Sequence, residues 1–399
     1  MLGAGAGGAS AAYYLEKYAA EFGIRPSITV YGRSSYTGGR STTVNIFDDE
    51  SELAELGPSI FVEVNRNLVN AVKEFGLTTG EAHKPRSAEA PERLGVWNGR
   101  EFVFYIVGRR PLLVECSWTP IRTHNLIKSI VGSFLKTYEE PYFPFRSLSQ
   151  AAYDLGLTNI TSETGERFLE ANKIKPLFST ELIQASTRVN FAQNLPFIHG
   201  LETMVCMATE GTVSVKGGNW QIFDGMIKAS GAAVMLSTAV KQIRETDFGT
   251  YVVSPEEKSS PSPQEHEYDV VILAAPLQDS SITLTPLPPH IPDKIPYVKL
   301  HITLLTSPHH LSPAAFNLPP DALVPSAILT LGPDETPRNR EKSAGHAGFF
   351  STSTPRRVTS PSSHRDEYLC KTFLQPRSLK LILRDSWVLL AVVAILVVT

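Results

Sequence analysis

The chain has 399 residues, 37 Lys and Arg against 40 Asp and Glu, a formal net charge of -3, and 42% hydrophobic and 19% charged residues. This length and apolar content are those of two or three globular domains with sizeable cores. The near-balanced charge argues against a protein built to hold nucleic acid, and the charged fraction is too low for a solvated disordered chain.

The first residues, Met1-Leu2-Gly3-Ala4-Gly5, enter a glycine turn at once, without the basic start, apolar run and cleavage site of a secretory signal. Gly3-Ala4-Gly5-Ala6-Gly7-Gly8 fits G-x-G-x-x-G. In that motif Gly3 makes the tight turn, Gly5 lets backbone amides approach a pyrophosphate, and Gly8 permits close helix packing. Ala11, Ala12, Leu15, Tyr18, Ala19 and Phe22 follow at helical spacing, and Ser27 to Tyr31 reads as a short strand. Only Met1 and Leu2 precede the loop, so two expectations stand: a truncated start, or a sheet without its usual central strand. The carboxylate expected after the second strand, where it would bind ribose hydroxyls, is replaced by Gly32. Arg33 follows and has two readings, a partner for a phosphorylated ribose or an exposed turn residue.

Leu68, Val69, Val72 and Phe75 predict a second amphipathic helix over Asn65 to Phe75, ended by Gly76. Gly95 to Tyr105 reads as a hairpin around Asn98-Gly99, and residues 124 to 230 are mainly helical in pattern. Strands are expected at Thr238 to Ile243, Thr250 to Val253 and Asp269 to Ala275, with Ser254 to Glu267 as an exposed loop. Beyond residue 276 proline recurs at 286, 288, 289, 292 and 296, which excludes long helices until about residue 370. Trp387 to Val398 is an apolar run shorter than the roughly 20 residues that span a bilayer, which leaves a buried tail or a membrane anchor. Cys116, Cys206 and Cys370 form neither a disulfide framework nor a zinc-site spacing, and no metal is expected.

Gly38-Gly39-Arg40 completes an order of glycine loop, helix, strand and Gly-Gly-Arg that resembles the flavoprotein oxidases of the amine-oxidase type. Further likeness lies in Glu55-Leu56-Gly57-Pro58-Ser59, in Gly217-Gly218-Asn219-Trp220-Gln221-Ile222-Phe223, at Val240, and in Tyr268 to Pro276. Within that group, Ser10 to Leu15, Ser186 to Asn194 and Gly217 to Gln221 resemble the prenylcysteine oxidase (prenylcysteine lyase) family, over residues 3 to about 373. The resemblance implies an α/β fold: a Rossmann-like FAD-binding domain of the two-dinucleotide-binding-domain type with an inserted helix-rich substrate domain, truncated at both ends. The expected organisation is 1–90 and 211–280 for the FAD-binding parts, 91–210 and 281–373 for the substrate domain, and 374–399 as a divergent apolar tail.

The implied reaction is oxidation of a prenylcysteine thioether. FAD takes hydride from the prenyl carbon on sulfur, water adds there, and the adduct collapses to an aldehyde and free cysteine, with oxygen reoxidising the flavin to give peroxide. The cofactor carries the hard chemistry, so a sparse catalytic inventory is expected and no catalytic residue is identified. The implied cofactor contacts are Gly3, Gly5, Gly8, Gly38, Gly39, Arg40, Gly57, Ser59, Val240 and Ala274. Arg188 and Asn190, with Gln193 nearby, are candidates to orient the substrate carboxylate, against the alternative of a helix-surface network. His199 and the His309-His310 pair are assigned no role, and Asn159-Ile160-Thr161 fits a glycosylation acceptor. Family resemblance implies a lysosomal or vacuolar location and membrane association. A different amine-oxidase-like flavoenzyme and an inactive remnant binding a lipid or partner are the competing readings.

Overall fold

The computed structural model describes residues 1–81, 93–107, 119–256, 264–295, 297–332, 344–361, 364–374 and 388–397. The chain forms two compact units, Met1–Ala82 with Gly211–Pro296, and His83–Glu210 with Tyr297–Thr399.

The first unit contains α1 (Ala6–Glu21), β1 (Thr29–Tyr31), β2 (Thr43–Ile46), β3 (Asp49–Glu55), β4 (Phe61–Val62), α2 (Arg66–Glu74) and β5 (Thr79–Glu81). After the second unit's first segment come β8 (Thr212–Val215), α10 (Trp220–Ala229), β9 (Ala233–Met235), β10 (Ala239–Glu245), β11 (Tyr251–Glu256), β12 (His266–Tyr268), α11 (Leu277–Ser280) and β13 (Thr283–Thr285). The alanine-rich α1 buries Gly8, Ala9, Ala12, Tyr13 and Ala19, and stops where Gly23 turns left-handed at φ 71°. α2 starts at Asn65, whose side chain accepts from the Leu68 N–H, and ends at Gly76, φ 62°.

β1 runs parallel to β9 on one side and bridges Leu2 on the other. Leu2 in turn bridges Leu273, through Leu2 N–H to Ile272 O at 2.8 Å and Ala274 N–H to Leu2 O at 2.9 Å. The central position of the parallel layer is therefore held by Leu2 as an isolated bridge and not by a full strand. Asp269 to Ala275 is not the full strand expected. Within that segment Leu273 forms a bridge, with Leu2. Ala9, Ala12, Val30, Phe61, Val72, Ile222 and Met226 form one core, between α1, α2 and α10 and the strands. Leu2, Tyr31, Val240, Ile243 and Val253 form a second core beneath the four-stranded sheet β12-β11-β10-β13. β2 and β3 form a hairpin that the reading of the sequence did not anticipate, turned by Phe47 and Asp48, both at positive φ.

The second unit contains β6 (Arg93–Trp97), β7 (Phe102–Val107), α3 (Thr119–Leu135), α4 (Leu148–Asp154), α5 (Leu157–Thr161), α6 (Gly165–Ala171), α7 (Pro176–Phe178), α8 (Gln184–Phe191) and α9 (Gly200–Val205). It continues with β14 (Val298–Ser307), β15 (Ala327–Thr330), β16 (Phe349–Thr359), β17 (Asp366–Leu374) and β18 (Val388–Val397). Its seven-stranded sheet has the order β18-β14-β17-β16-β15-β6-β7, antiparallel except at β15 and β6. The expected hairpin is β6–β7, with Asn98 Oδ1 accepting from the N–H groups of Arg100 and Glu101. The helices close over Ile130, Leu169, Ile174, Phe178, Ile183, Leu195 and Met204. The segment near residue 370 is a strand, and most of the apolar run after Trp387 pairs with β14 as β18. Among the described residues no helix is long and apolar enough to cross a membrane. Cys116 and most of the polar stretch after Glu256 lie outside the described residues.

Candidate functional site

The glycine loop sits where the central strand position meets the start of α1. Gly3 has φ 123°, and a Cβ there would meet the Ala274 carbonyl oxygen at 2.9 Å. A Cβ on Gly8 would overlap the Gly3 carbonyl oxygen, so the helix enters the loop at a distance only glycine allows. A side chain at Gly7 would face Ala274 Cβ at 3.7 Å, which places Ala274 against the loop from the returning segment. The N-cap of α1 is Gly5, which makes no side-chain cap hydrogen bond, so no side chain at that position takes up the first N–H groups of the helix.

The second glycine turn docks directly on the first. Gly5 bridges Gly38, Gly38 N–H donates to Ala4 O at 2.9 Å, and a Cβ on Gly39 would lie 3.0 Å from Gly5 Cα. Gly38 has φ 92° and Gly39 φ 61°. Trp220 stands behind Gly38, and Thr37 Oγ1 donates to Asp224 Oδ1 at 3.1 Å. The Arg40 side chain is exposed, while its carbonyl oxygen occupies the space a Cβ on Gly57 would need. Gly57 and the half-buried Ser59 thus follow the second turn closely, and Pro58 O accepts from Asn219 Nδ2 at 2.9 Å.

Val240 is buried in the core that contains Leu2 and Tyr31, on the strand beside the loop. It pairs with Pro255 on β11, and a bulge separates it from Gln242, where pairing with β13 begins. Tyr31 and Tyr268 share a hydrogen bond of 2.8 Å between hydroxyls, and burial with that bond raises the Tyr31 pKa above the ordinary tyrosine value. The ribose end departs from the dinucleotide pattern. Gly32 is buried, held by Gly32 N–H to Met235 O and Thr238 N–H to Gly32 O, both 2.9 Å. A Cβ there would press on Leu236 Cδ2 at 3.0 Å and Ala4 Cβ at 3.1 Å. Arg33 is exposed. The residues present fit a diphosphate and its flanking turns and provide no carboxylate for the ribose at position 32.

The structure places Arg188 and Asn190 in different surroundings. Arg188 is fully buried, not on a helix surface, and its guanidinium donates to Thr330 Oγ1, Asn194 Oδ1 at 2.7 Å and Ala344 O at 3.0 Å, with the Phe350 ring 5.1 Å from its central carbon. These bonds join α8, β15 and the Ala344 segment within the second unit. Asn190, two residues along the helix, is exposed and donates to Ser186 O, so the two side chains do not converge. Gln193 is buried beside them. His199 caps α9 through Nδ1, which accepts from Glu202 N–H. His310 Nε2 and Tyr368 Oη lie 2.8 Å apart just beyond β14. Asn159 is exposed on α5. Among the described residues no group of three or more His, Cys, Asp or Glu could hold a metal ion.

The reading of the sequence missed Asn219, Trp220 and Asp224 as organisers of the turns. The first two lie in the Gly217–Gln221 block, whose twin glycines take φ 87° and 114° to lead into α10.

Residues 103–385 match the family model described as prenylcysteine lyase. The chain belongs to the prenylcysteine lyase family. The match passes Phe373, where the resemblance was expected to stop, by twelve residues. Residues 2–75 match an NAD(P)-binding Rossmann-like domain, in keeping with the loop geometry and the α/β architecture expected from the sequence. The chain is 29% identical over 307 residues to farnesylcysteine lyase of Arabidopsis thaliana, covering 72% of this chain and 59% of that protein. It is 26% identical over 323 residues to prenylcysteine oxidase 1 of Rattus norvegicus, covering 76% and 61%. It thus spans about three fifths of the length of these curated relatives. A putrescine oxidase variant shares the fold, with a TM-score of 0.57 and 14% identity over 95% of this chain and 75% of that one.

Proposed function

We propose that the protein is an FAD-dependent oxidase of prenylated cysteines such as farnesylcysteine, yielding free cysteine, a prenyl aldehyde and hydrogen peroxide. The observation that carries this reading is the docking of the Gly38–Gly39 turn on the Gly3–Gly8 loop in a chain of this family. Gly3, Gly5 and Gly8, with the first N–H groups of α1, are the proposed hold on the diphosphate, joined by Gly38, Gly39 and Arg40. Gly57 and Ser59 are the proposed edge of the ring system, Val240 the backbone contact to adenine, and Ala274 the wall behind the loop. Bound FAD supplies a two-electron acceptor for the carbon attached to sulfur. The task of the chain itself is to bring its backbone against the cofactor through glycines that lack Cβ atoms. Prenylcysteine, water and oxygen together balance the three products. Lysosomal or vacuolar residence and membrane association complete the proposal on family resemblance, and cell fractionation tests both.

Gly32 favours a second reading, an inactive remnant, because the carboxylate that would anchor the ribose has no counterpart at that position. The deciding experiment is the visible spectrum of the folded protein after incubation with FAD and removal of free cofactor, followed by farnesylcysteine turnover. Bound flavin with peroxide and aldehyde release supports the oxidase. Peroxide from amines and not from farnesylcysteine selects the amine-oxidase-like alternative, and a folded protein without flavin selects the remnant.

A further inference from the structure

Asn219 is a buried side chain, 4% exposed, at the entry to α10, and its three hydrogen bonds reach three places. Its backbone N–H donates to Glu55 Oε1 at 2.6 Å, its Oδ1 accepts from Val215 N–H at 2.9 Å, and its Nδ2 donates to Pro58 O at 2.9 Å. The next residue, Trp220, stands behind the other turn, where a Cβ on Gly38 would meet Trp220 Cβ at 2.9 Å and Cα at 3.3 Å. One turn further along, Asp224 accepts from Thr37 Oγ1 and pairs with Lys228 at 2.6 Å. The first turns of a single helix therefore hold both the Gly38–Gly39 turn and the segment from Glu55 to Ser59. Those two segments are also joined by Leu56 N–H to Thr42 O, 2.9 Å, by the pairing of Thr43 with Glu55 and by the close packing of Arg40 O on Gly57.

We propose that Asn219 is a positioning residue that sets the Gly57–Ser59 segment relative to the Gly38–Gly39 turn, and so the flavin ring relative to the diphosphate. This rests on the FAD reading above. A buried amide making bonds to two separate segments has no conservative replacement. Aspartate keeps the acceptor for Val215 and loses the donor to Pro58, beside the Glu55 carboxylate. Alanine loses both side-chain bonds. A side chain serving stability alone would weaken every ligand equally, whereas a positioning role separates the two ends of the cofactor.

The test uses the full chain and compares ADP, which reaches only the diphosphate and adenine end, with FAD, by calorimetry and by the visible spectrum of bound flavin. For Asn219→Ala and Asn219→Asp the expected results are ADP affinity within about twofold of the parent, FAD affinity about tenfold weaker, and a shifted flavin band, as one or two lost hydrogen bonds allow. Thr37→Val, which loosens the other turn, is expected to weaken ADP and FAD alike. Equal loss of ADP and FAD affinity in both Asn219 variants, or unchanged FAD affinity and spectrum, overturns the proposal. Failure of Asn219→Ala to fold leaves Asn219→Asp to decide, and failure of both overturns it in favour of a role in stability alone. A parent chain that binds ADP but no flavin overturns the FAD reading itself, an outcome visible before any variant is made.

Discussion

Replacing Arg188 by methionine keeps an unbranched side chain in the pocket and removes every donor. The structure then leaves Asn194 Oδ1 and Ala344 O without their guanidinium partner in a fully buried site, and the Phe350 ring without its cation. A buried acceptor deprived of its donor costs about 1–3 kcal/mol, so the two acceptors together cost about 2–6 kcal/mol. The expected loss is therefore about 2–6 kcal/mol, with the methionine chain recovering part of the packing. Urea denaturation followed by circular dichroism measures it, and a cycle with Thr330→Val isolates one arm, for which a coupling of about 1 kcal/mol is expected. The same variants in a farnesylcysteine assay separate the two roles. Stability within about 0.5 kcal/mol of the parent, together with a raised KM for substrate, would refute the structural role and restore Arg188 as a carboxylate ligand.

Gly38→Ala places a Cβ 2.5 Å from Ser41 O at φ 92°, so loss of retained flavin on gel filtration is expected, with about 1–3 kcal/mol of destabilisation by thermal melting. Gly32→Glu supplies the missing carboxylate at an ordinary φ, against a movable leucine methyl, and is expected to tighten ADP about tenfold by calorimetry despite the crowding. No gain would show that Leu236 and Ala4 close the position. Burial raises the thiol pKa of Cys206 and Cys370, so neither is expected to react with a thiol reagent at pH 8 until denaturant is added, as peptide mapping would show. Burial, then the Arg357 charge, lowers the His310 pKa in the folded state. The unfolded chain accordingly binds the proton first as pH falls below about 6.5, and this contribution to stability is lost on acidification through the folded pKa. An NMR titration is expected to give His310 a pKa below 6.5 that rises in Arg357→Met, and no change in that variant would remove the charge as a cause.

Much of the cofactor half was legible before any fold was seen, because its signals are local. A G-x-G-x-x-G run, a helix with apolar residues at helical spacing and a β-branched strand each follow from neighbours a few residues apart, and α1, β1 and α2 lie where those patterns place them. The hairpin of β2 and β3 escaped notice because its turn uses Phe47-Asp48 at positive φ, a conformation that Asn-Gly announces and Phe-Asp does not. The apolar run after Trp387 left a buried tail and a membrane anchor both open, and most of it pairs with β14 as a strand. Local patterns were equally silent on which polar residues are organisers. Arg188 meets Thr330 and Ala344 across 142 and 156 residues of sequence, and Asn219 meets Glu55 and Pro58 across 164 and 161. Residue type and spacing by themselves marked the glycine turns, since glycine at positive φ or in close contact leaves a mark in one residue, while the family and the α/β class were implied by resemblance and the family was shown by the family match. Which charge is buried, which amide holds two turns together and what stands in for the first strand were decided only by the tertiary structure, because hydrogen bonds of that kind depend on where distant segments meet.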